Sequence, residues 1–117
     1  MADESPKRQF YEAQIRYLVA GDVEDLIDNQ YTEDATLVSF DDQIHGNTAL
    51  KEHFKGYLEM LGTLEVVSTD KFVETDDSIF FEATVNTNFG QAKVFDAWVL
   101  RGGKISHHFT GVYPPTS

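Results

Sequence analysis

The sequence predicts an α+β fold in which three N-terminal helices precede a mixed, mostly antiparallel sheet. Up to Gly62, apart from a short strand pair near residues 36–45, apolar residues recur three or four positions apart, which is helical spacing. After Gly62 apolar residues alternate with polar ones as they do in half-buried strands. Turn signals divide this C-terminal half into consecutive strands, an order typical of antiparallel hairpins.

Length and composition indicate a single globular domain. The 117 residues form one domain, 1–117, with a core expected over about 8–113 and short polar tails. The formal charge is 9 − 20 = −11, which repels phosphate backbones and anionic membrane surfaces, so we expect neither nucleic acid nor membrane as a partner. The chain has no cysteine, which excludes disulfides and thiolate metal sites. Without a signal-like or membrane-spanning apolar run, this acidic protein is expected to be cytoplasmic.

The first helix is predicted over residues 6–20. Ser5 is a plausible N-cap, Pro6 suits the first helical position, and Gly21 ends the helix. One broad apolar arc of this helix faces the core, and Gln14 lies inside that arc. The members of the arc are Tyr17, Phe10, Gln14, Leu18, Tyr11, Ile15 and Val19.

Two further helices follow the same rules. The second is predicted from Val23 to about Tyr31, with Asp22 as its N-cap and Asp25 as a capping-box acid. Residues 32–35 then turn the chain. The third is predicted from about Thr48 to Leu61, with His53 on its surface edge. The predicted strands are residues 36–40, 44–45, 63–74, 79–87, 92–100 and 105–112.

One strand carries a carboxylate where an apolar residue is expected. In residues 94–100, Asp96 shares a face with Val94, Trp98 and Leu100, because side chains alternate along a strand. A buried carboxylate is costly unless it is paired, protonated or exposed in a cavity. Asp96 therefore marks the predicted site.

Hairpin registers give Asp96 its predicted neighbours. If Gly102-Gly103 is a two-residue turn, Trp98 pairs with His107 and Asp96 with Phe109. If Phe89-Gly90 is treated alike, Asp96 pairs with Ala83 and Trp98 with Phe81. Asp96 and His107 are then the only ionisable residues on the core face, as diagonal neighbours. His108 is expected on the opposite face, which would suit a subunit interface.

These registers predict a small-molecule cavity between the first helix and the sheet, because small Ala83 leaves room beside Asp96. The candidate catalytic residues are Asp96 and His107, and no metal or cofactor is expected. The candidate ligand-binding residues are Gln14, Tyr17, Phe81, Trp98 and Phe109. The alternatives left open are that Asp96 is a hydrogen-bonded core group, that His107 stacks structurally on Trp98, and that Gln14 only ties helix to sheet.

The order and spacing of several motifs resemble a known superfamily. These are Ala20-Gly21-Asp22-Val23, residues 31–36, Ile44-His45-Gly46, and Asp96-Ala97-Trp98 before Gly103-Lys104-Ile105. Over roughly residues 8–113 they resemble the nuclear transport factor 2-like superfamily, in its SnoaL-like and ketosteroid-isomerase-like branch. The resemblance implies a cystatin-like α+β cone, in which a curved sheet wraps over the helices around a hydrophobic ligand pocket. It also implies a homodimer packed through the sheet.

The resemblance implies a function, but this chain differs from the ketosteroid isomerases at two site positions. Asp96 looks like the pocket aspartate that ketosteroid isomerases keep protonated. Ser39 stands where those isomerases have their general base and Gln14 where they have a tyrosine; Asp41 or Asp42 could swing in as a substitute base. The leading hypothesis is a cofactor-free isomerase, cyclase or dehydratase that acts on a hydrophobic carbonyl or alcohol by general acid–base catalysis. The alternative is a non-catalytic ligand-binding or dimerising module, and an open cavity reaching Asp96 favours the enzyme.

Overall fold

The computed structural model describes residues 5–39 and 42–113. These described residues form three helices and six strands in the predicted order, so the α+β prediction is confirmed. The helices are α1 Pro6–Ala20, α2 Val23–Gln30 and α3 Asn47–Leu61. The strands are β1 Tyr31–Val38, β2 Gln43–His45, β3 Leu64–Glu74, β4 Ser78–Thr87, β5 Gly90–Arg101 and β6 Lys104–Val112. Within the described part of the chain, no helix is long and apolar enough to cross a membrane.

The six strands form one mixed sheet in the order β2-β1-β6-β5-β4-β3. Among the strands of the described residues, β1 and β6 pair in parallel and the other neighbours are antiparallel, so the sheet is mixed and mostly antiparallel as predicted. Apolar residues of the three helices and of the inner sheet face join in one core. The sheet thus has an inner face towards the helices and an outer face away from them.

Local capping explains why α1 is placed correctly and where the other N-terminal elements differ. The Ser5 hydroxyl accepts a hydrogen bond from the Arg8 N–H at 3.0 Å, and Gly21 ends the helix with φ 73°. Asp22 is the N-cap residue of α2, as predicted, but its side chain makes no capping hydrogen bond. Strand β1 begins at Tyr31, five residues earlier than predicted, with a register irregularity between Tyr31 and Thr36.

The β4–β5 hairpin turns one residue earlier than predicted, which shifts the cross-strand partners by two residues. Thr87 pairs with Gly90, so Asn88 and Phe89 form the turn. Asn88 is held there because its side chain accepts a hydrogen bond from the Thr63 hydroxyl at 2.9 Å. A shift of two residues changes the partners and preserves the faces, so Asp96 pairs with Phe81 rather than with Ala83 and still faces the core.

A bulge in β6 reverses the predicted facing of the two histidines. The Gly102-Gly103 turn pairs Leu100 with Ile105 as predicted, but Val99 then pairs with His107. Ser106 is the extra residue on β6, buried with its hydroxyl donating to the Val99 carbonyl at 3.2 Å. A one-residue slip moves every later side chain to the other face. The predicted placements of His107 and Phe109 in the pocket are therefore wrong, and both side chains are exposed on the outer face.

Candidate functional site

A cavity of about 370 Å³ lies between the helices and the inner sheet face. Its volume is within the range of small-molecule sites. Its lining is mostly apolar, with a few polar groups, and comprises Gln14, Ile15, Leu18, Leu37, Ser39, His53, Phe54, Tyr57, Leu64, Val66, Phe81, Ala83, Val85, Val94, Asp96, Trp98, His108, Thr110, Gly111 and Val112. Exposure of the lining rises from 1% at Gln14 and Trp98 to 46% at Val112, so the cavity opens on the side of Val112.

Asp96 and His108 form a hydrogen-bonded pair at the buried end of this cavity. His108 Nε2 lies 2.6 Å from Asp96 Oδ1, and the two residues are 5% and 8% exposed. Asp96 Oδ2 makes no hydrogen bond to any side chain in the described ranges 5–39 and 42–113. The carboxylate therefore keeps one oxygen that can accept a proton from a molecule in the cavity.

The pair continues as a chain of buried hydrogen bonds across the core. His108 Nδ1 lies 2.8 Å from the Tyr31 hydroxyl, which lies 2.9 Å from Gln14 Nε2. Gln30 Nε2 lies 3.4 Å from Gln14 Oε1, the longest link, and 2.9 Å from the Phe10 carbonyl oxygen. Side chains from α1, α2, β1, β6 and β5 thus meet in one network, which satisfies polar groups that would be costly to bury alone.

The Phe10 carbonyl sets the direction of proton donation along this chain. A carbonyl can only accept, so Gln30 presents its amide N–H groups to Phe10 and to Gln14 Oε1. Gln14 then donates through Nε2 to the Tyr31 oxygen, which leaves the Tyr31 proton to be donated to His108 Nδ1. His108 accordingly carries its proton on Nε2 and donates it to Asp96. The network therefore delivers a hydrogen bond to Asp96 Oδ1.

The role of Tyr31 as a donor requires that it stay protonated. Burial raises the pKa of Tyr31 far above its usual value, and the neighbouring Asp96 charge raises it further, against a lowering effect of the Gln14 hydrogen bond. Its ring also stacks beside the His108 imidazole, with centroids 6.0 Å apart. Tyr31 thus fixes both the tautomer and the orientation of His108.

The opposite wall carries a second set of polar groups, on α3. His53 and Tyr57 both line the cavity, and their rings stack at 9° with centroids 6.2 Å apart. Burial lowers the pKa of His53, while the nearby Asp42 acts in the raising direction. Burial, then the Asp96 charge, raises the pKa of Tyr57. Both groups are therefore neutral near pH 7.

The structure brings together four of the seven predicted site residues. Asp96, Gln14, Phe81 and Trp98 all line the cavity. His107 and Phe109 lie on the outer sheet face because the β6 bulge turns them away from the cavity. Tyr17 is half-buried outside the cavity, where its hydroxyl accepts from Asn29 Nδ2 at 3.1 Å. Among the suggested replacement bases, Asp42 is exposed, and Asp41 lies outside the described residues.

Sequence reasoning missed three titratable residues of the cavity wall: His108, His53 and Tyr57. His108 left no signal, because nothing in residues 104–112 marks the bulge at Ser106. The α3 residues did leave one: His53 is three positions after Leu50 and four before Tyr57, which is the spacing of one helix face. Among the described residues, no three histidine, aspartate or glutamate side chains converge as a metal site.

Trp98 is the only tryptophan of the chain and forms the floor of the cavity beside Asp96. It meets Phe10, Phe81 and His108 edge to face, with centroids 5.0 to 5.8 Å apart. Its indole N–H is buried and has no acceptor in the described part of the chain. The single indole is therefore an intrinsic reporter of the buried end of the cavity.

Comparison with known proteins gives a family and a set of similar structures. The family model described as SnoaL-like domain matches residues 8–108. No curated protein matches the chain. A nuclear transport factor 2-like protein from Anabaena variabilis has a TM-score of 0.81 at 21% identity, covering 98% of this chain and 96% of that one.

Two other similar structures have names that refer to small molecules. TerC, co-crystallised with polyporic acid, has a TM-score of 0.78 at 17% identity and covers 93% of this chain and 92% of its own. A protein from Sinorhizobium meliloti, provisionally named a polyketide cyclase, has a TM-score of 0.77 at 11% identity, with 88% and 94% covered. At these identities the likeness establishes the shared fold alone.

Proposed function

Because the chain belongs to the SnoaL-like domain family, we propose that it binds a small, largely apolar ligand and acts on it as a cofactor-free isomerase, cyclase or dehydratase. The observation that carries the proposal is a hydrogen-bonded Asp96–His108 pair on the wall of a cavity of about 370 Å³. A mostly apolar cavity with a few convergent polar groups is the usual form of a small-molecule site. The names of TerC's ligand and of the Sinorhizobium protein are consistent with such chemistry.

In this proposal Asp96 is the general base. It takes a proton from the carbon next to a ligand carbonyl, and the C–H electron pair passes into the carbonyl to form an enolate. Where the ligand has a carbon–carbon double bond conjugated with that enolate, returning the proton to the far carbon of the double bond shifts the double bond and completes an isomerisation without a co-reactant. His108 holds the carboxylate in place through its N–H, and the Tyr31–Gln14 chain holds His108. This replaces the oxyanion-donor role that the family resemblance suggested for Asp96.

The proposal is tested without knowledge of the natural substrate by following deuterium exchange. 1-Tetralone is a bicyclic ketone with exchangeable protons next to its carbonyl, and its exchange in D₂O is measured by NMR. The wild type should accelerate exchange over buffer, and Asp96→Asn should reduce that acceleration by about 100-fold or more, the usual contribution of a general base. Saturable binding with no acceleration in either protein would leave the non-catalytic ligand-binding alternative.

The outer sheet face supports a second part of the proposal, a homodimer packed through the sheet. Its central rows carry exposed apolar side chains that a monomer would leave in water: Val73, Val99 and Phe109 are 53%, 36% and 41% exposed. Phe109, Ala97, Phe80 and Val73 pair across four strands in one row, so the apolar surface is continuous. Such a patch is typical of a protein–protein interface.

A further inference from the structure

We propose that His53 and Tyr57 form a second polar station in the cavity, here called the α3 station, which binds a second oxygen function of the ligand. The ligand class is then an apolar, ring-sized molecule that carries a hydroxyl or carbonyl oxygen at each of two separated positions. One oxygen function meets the Asp96–His108 pair on the sheet and the other meets the α3 station. This inference rests on the proposed function, because it assumes that the cavity holds a ligand.

Position is the first support. His53 and Tyr57 are four residues apart on α3, so both project from one helix face into the cavity. Asp96 and His108 line the same cavity from β5 and β6. The two polar sets therefore face one space from different walls, with apolar lining such as Ala83 and Val94 completing it.

Unfilled hydrogen bonds are the second support. On the sheet side, His108, Tyr31 and Gln14 satisfy one another within the buried chain. On the helix side, neither His53 nor Tyr57 makes a side-chain hydrogen bond to any group in residues 5–39 and 42–113. Polar groups held in an apolar cavity gain most from a ligand that supplies the missing partners.

Charge defines what the α3 station accepts. Burial lowers the pKa of His53 against the raising effect of Asp42 and raises the pKa of Tyr57, so both side chains are kept neutral. A neutral imidazole offers one donor and one acceptor, and a phenol offers a donor. This set fits a hydroxyl or carbonyl oxygen and provides no charge to balance a carboxylate or an ammonium group.

The test compares two probes by calorimetric titration: 2-naphthol, with one hydroxyl, and 2,6-dihydroxynaphthalene, with a hydroxyl at each end. The dihydroxy probe has two equivalent ends, which alone raise its affinity over that of 2-naphthol by a statistical factor of about two. A second hydrogen-bonded contact should raise the total gain in affinity to about tenfold. In the double variant His53→Phe, Tyr57→Phe the gain should fall to the statistical factor while 2-naphthol affinity is kept. His45→Phe, on exposed β2, is the matched control.

The outcomes separate this inference from the proposed function. In Asp96→Asn both probes should bind more weakly with their ratio kept. A wild-type gain no larger than the statistical factor, or a gain that survives the double variant, would overturn the α3 station while leaving the proposed function standing. If neither naphthol binds the wild type, the ligand cavity fails and the inference fails with it. If the double variant does not fold, the single variant Tyr57→Phe, which removes one hydroxyl, takes its place in the test.

Discussion

Two Tyr→Phe substitutions test the buried hydrogen-bond chain, because each removes only a hydroxyl from a ring that packs in the same region. The Tyr31 hydroxyl links Gln14 Nε2 at 2.9 Å to His108 Nδ1 at 2.8 Å. Tyr31→Phe leaves both of these buried groups without their partner. Each unsatisfied buried group costs about 1–3 kcal/mol, so for the two groups we expect the free energy of unfolding to fall by about 2–6 kcal/mol.

Tyr57→Phe is the matched control. The Tyr57 hydroxyl faces the cavity and bonds to no side chain in the described part of the chain, so its removal should change stability by less than about 0.5 kcal/mol. Urea denaturation followed by Trp98 fluorescence gives both free energies of unfolding. If the two variants lose equal stability, the directional chain from Gln30 to Asp96 is not what holds the site together.

Three further predictions follow. Ala83→Leu, which adds side-chain volume to the cavity wall, should weaken 2-naphthol binding at least tenfold in calorimetry, and unchanged affinity would place the ligand elsewhere. Phe109→Lys should dissociate the proposed dimer to a 13.2 kDa monomer in sedimentation at micromolar concentration, and a wild type already of that mass refutes the dimer. Because burial raises the pKa of Tyr31 and Tyr57 above the usual 10.0, their protonated forms stabilise the fold below pH 10. Stability should therefore fall as pH rises above 10, and a flat urea midpoint from pH 9 to 11 would contradict this.

Local chemistry explains why the fold could be predicted closely from the sequence. Ser5, Pro6 and Gly21 each act on their own backbone neighbourhood, so α1 has the predicted bounds. The Gly102-Gly103 turn was also correct, since both glycines adopt the positive φ values, 60° and 83°, that such a turn requires. Element boundaries of this kind depend on a few adjacent residues.

The site depended on longer-range geometry and was predicted only in part. Asp96, Gln14, Phe81 and Trp98 line the cavity as predicted, because alternation and helical spacing fix which face a side chain takes. His107 was placed on the wrong face because one bulged residue, Ser106, reverses the rest of β6, and a serine there carries no turn or glycine signal.

Helical periodicity also could not predict that α3 contributes polar residues to the cavity wall. His53 lies at the edge of the apolar arc of α3, and whether an edge position meets solvent or a cavity depends on how far the sheet curves away. Here the sheet leaves a cavity of about 370 Å³ beside it. The shape of that space depends on small Ala83 and on the buried network of five side chains. Neither feature can be located until the register of the strands is known.

The adjacent histidines provide the most direct measurement of the central claim, that the Asp96–His108 pair is the working base of the cavity. His108→Phe keeps the ring that packs beside Tyr31 and Phe54 and removes the donor to Asp96, whereas His107→Phe makes the same change on the outer face. In 1-tetralone deuterium exchange, we predict at least a tenfold loss of acceleration in His108→Phe and a change of less than about twofold in His107→Phe. Equal rates in the two variants would contradict the claim.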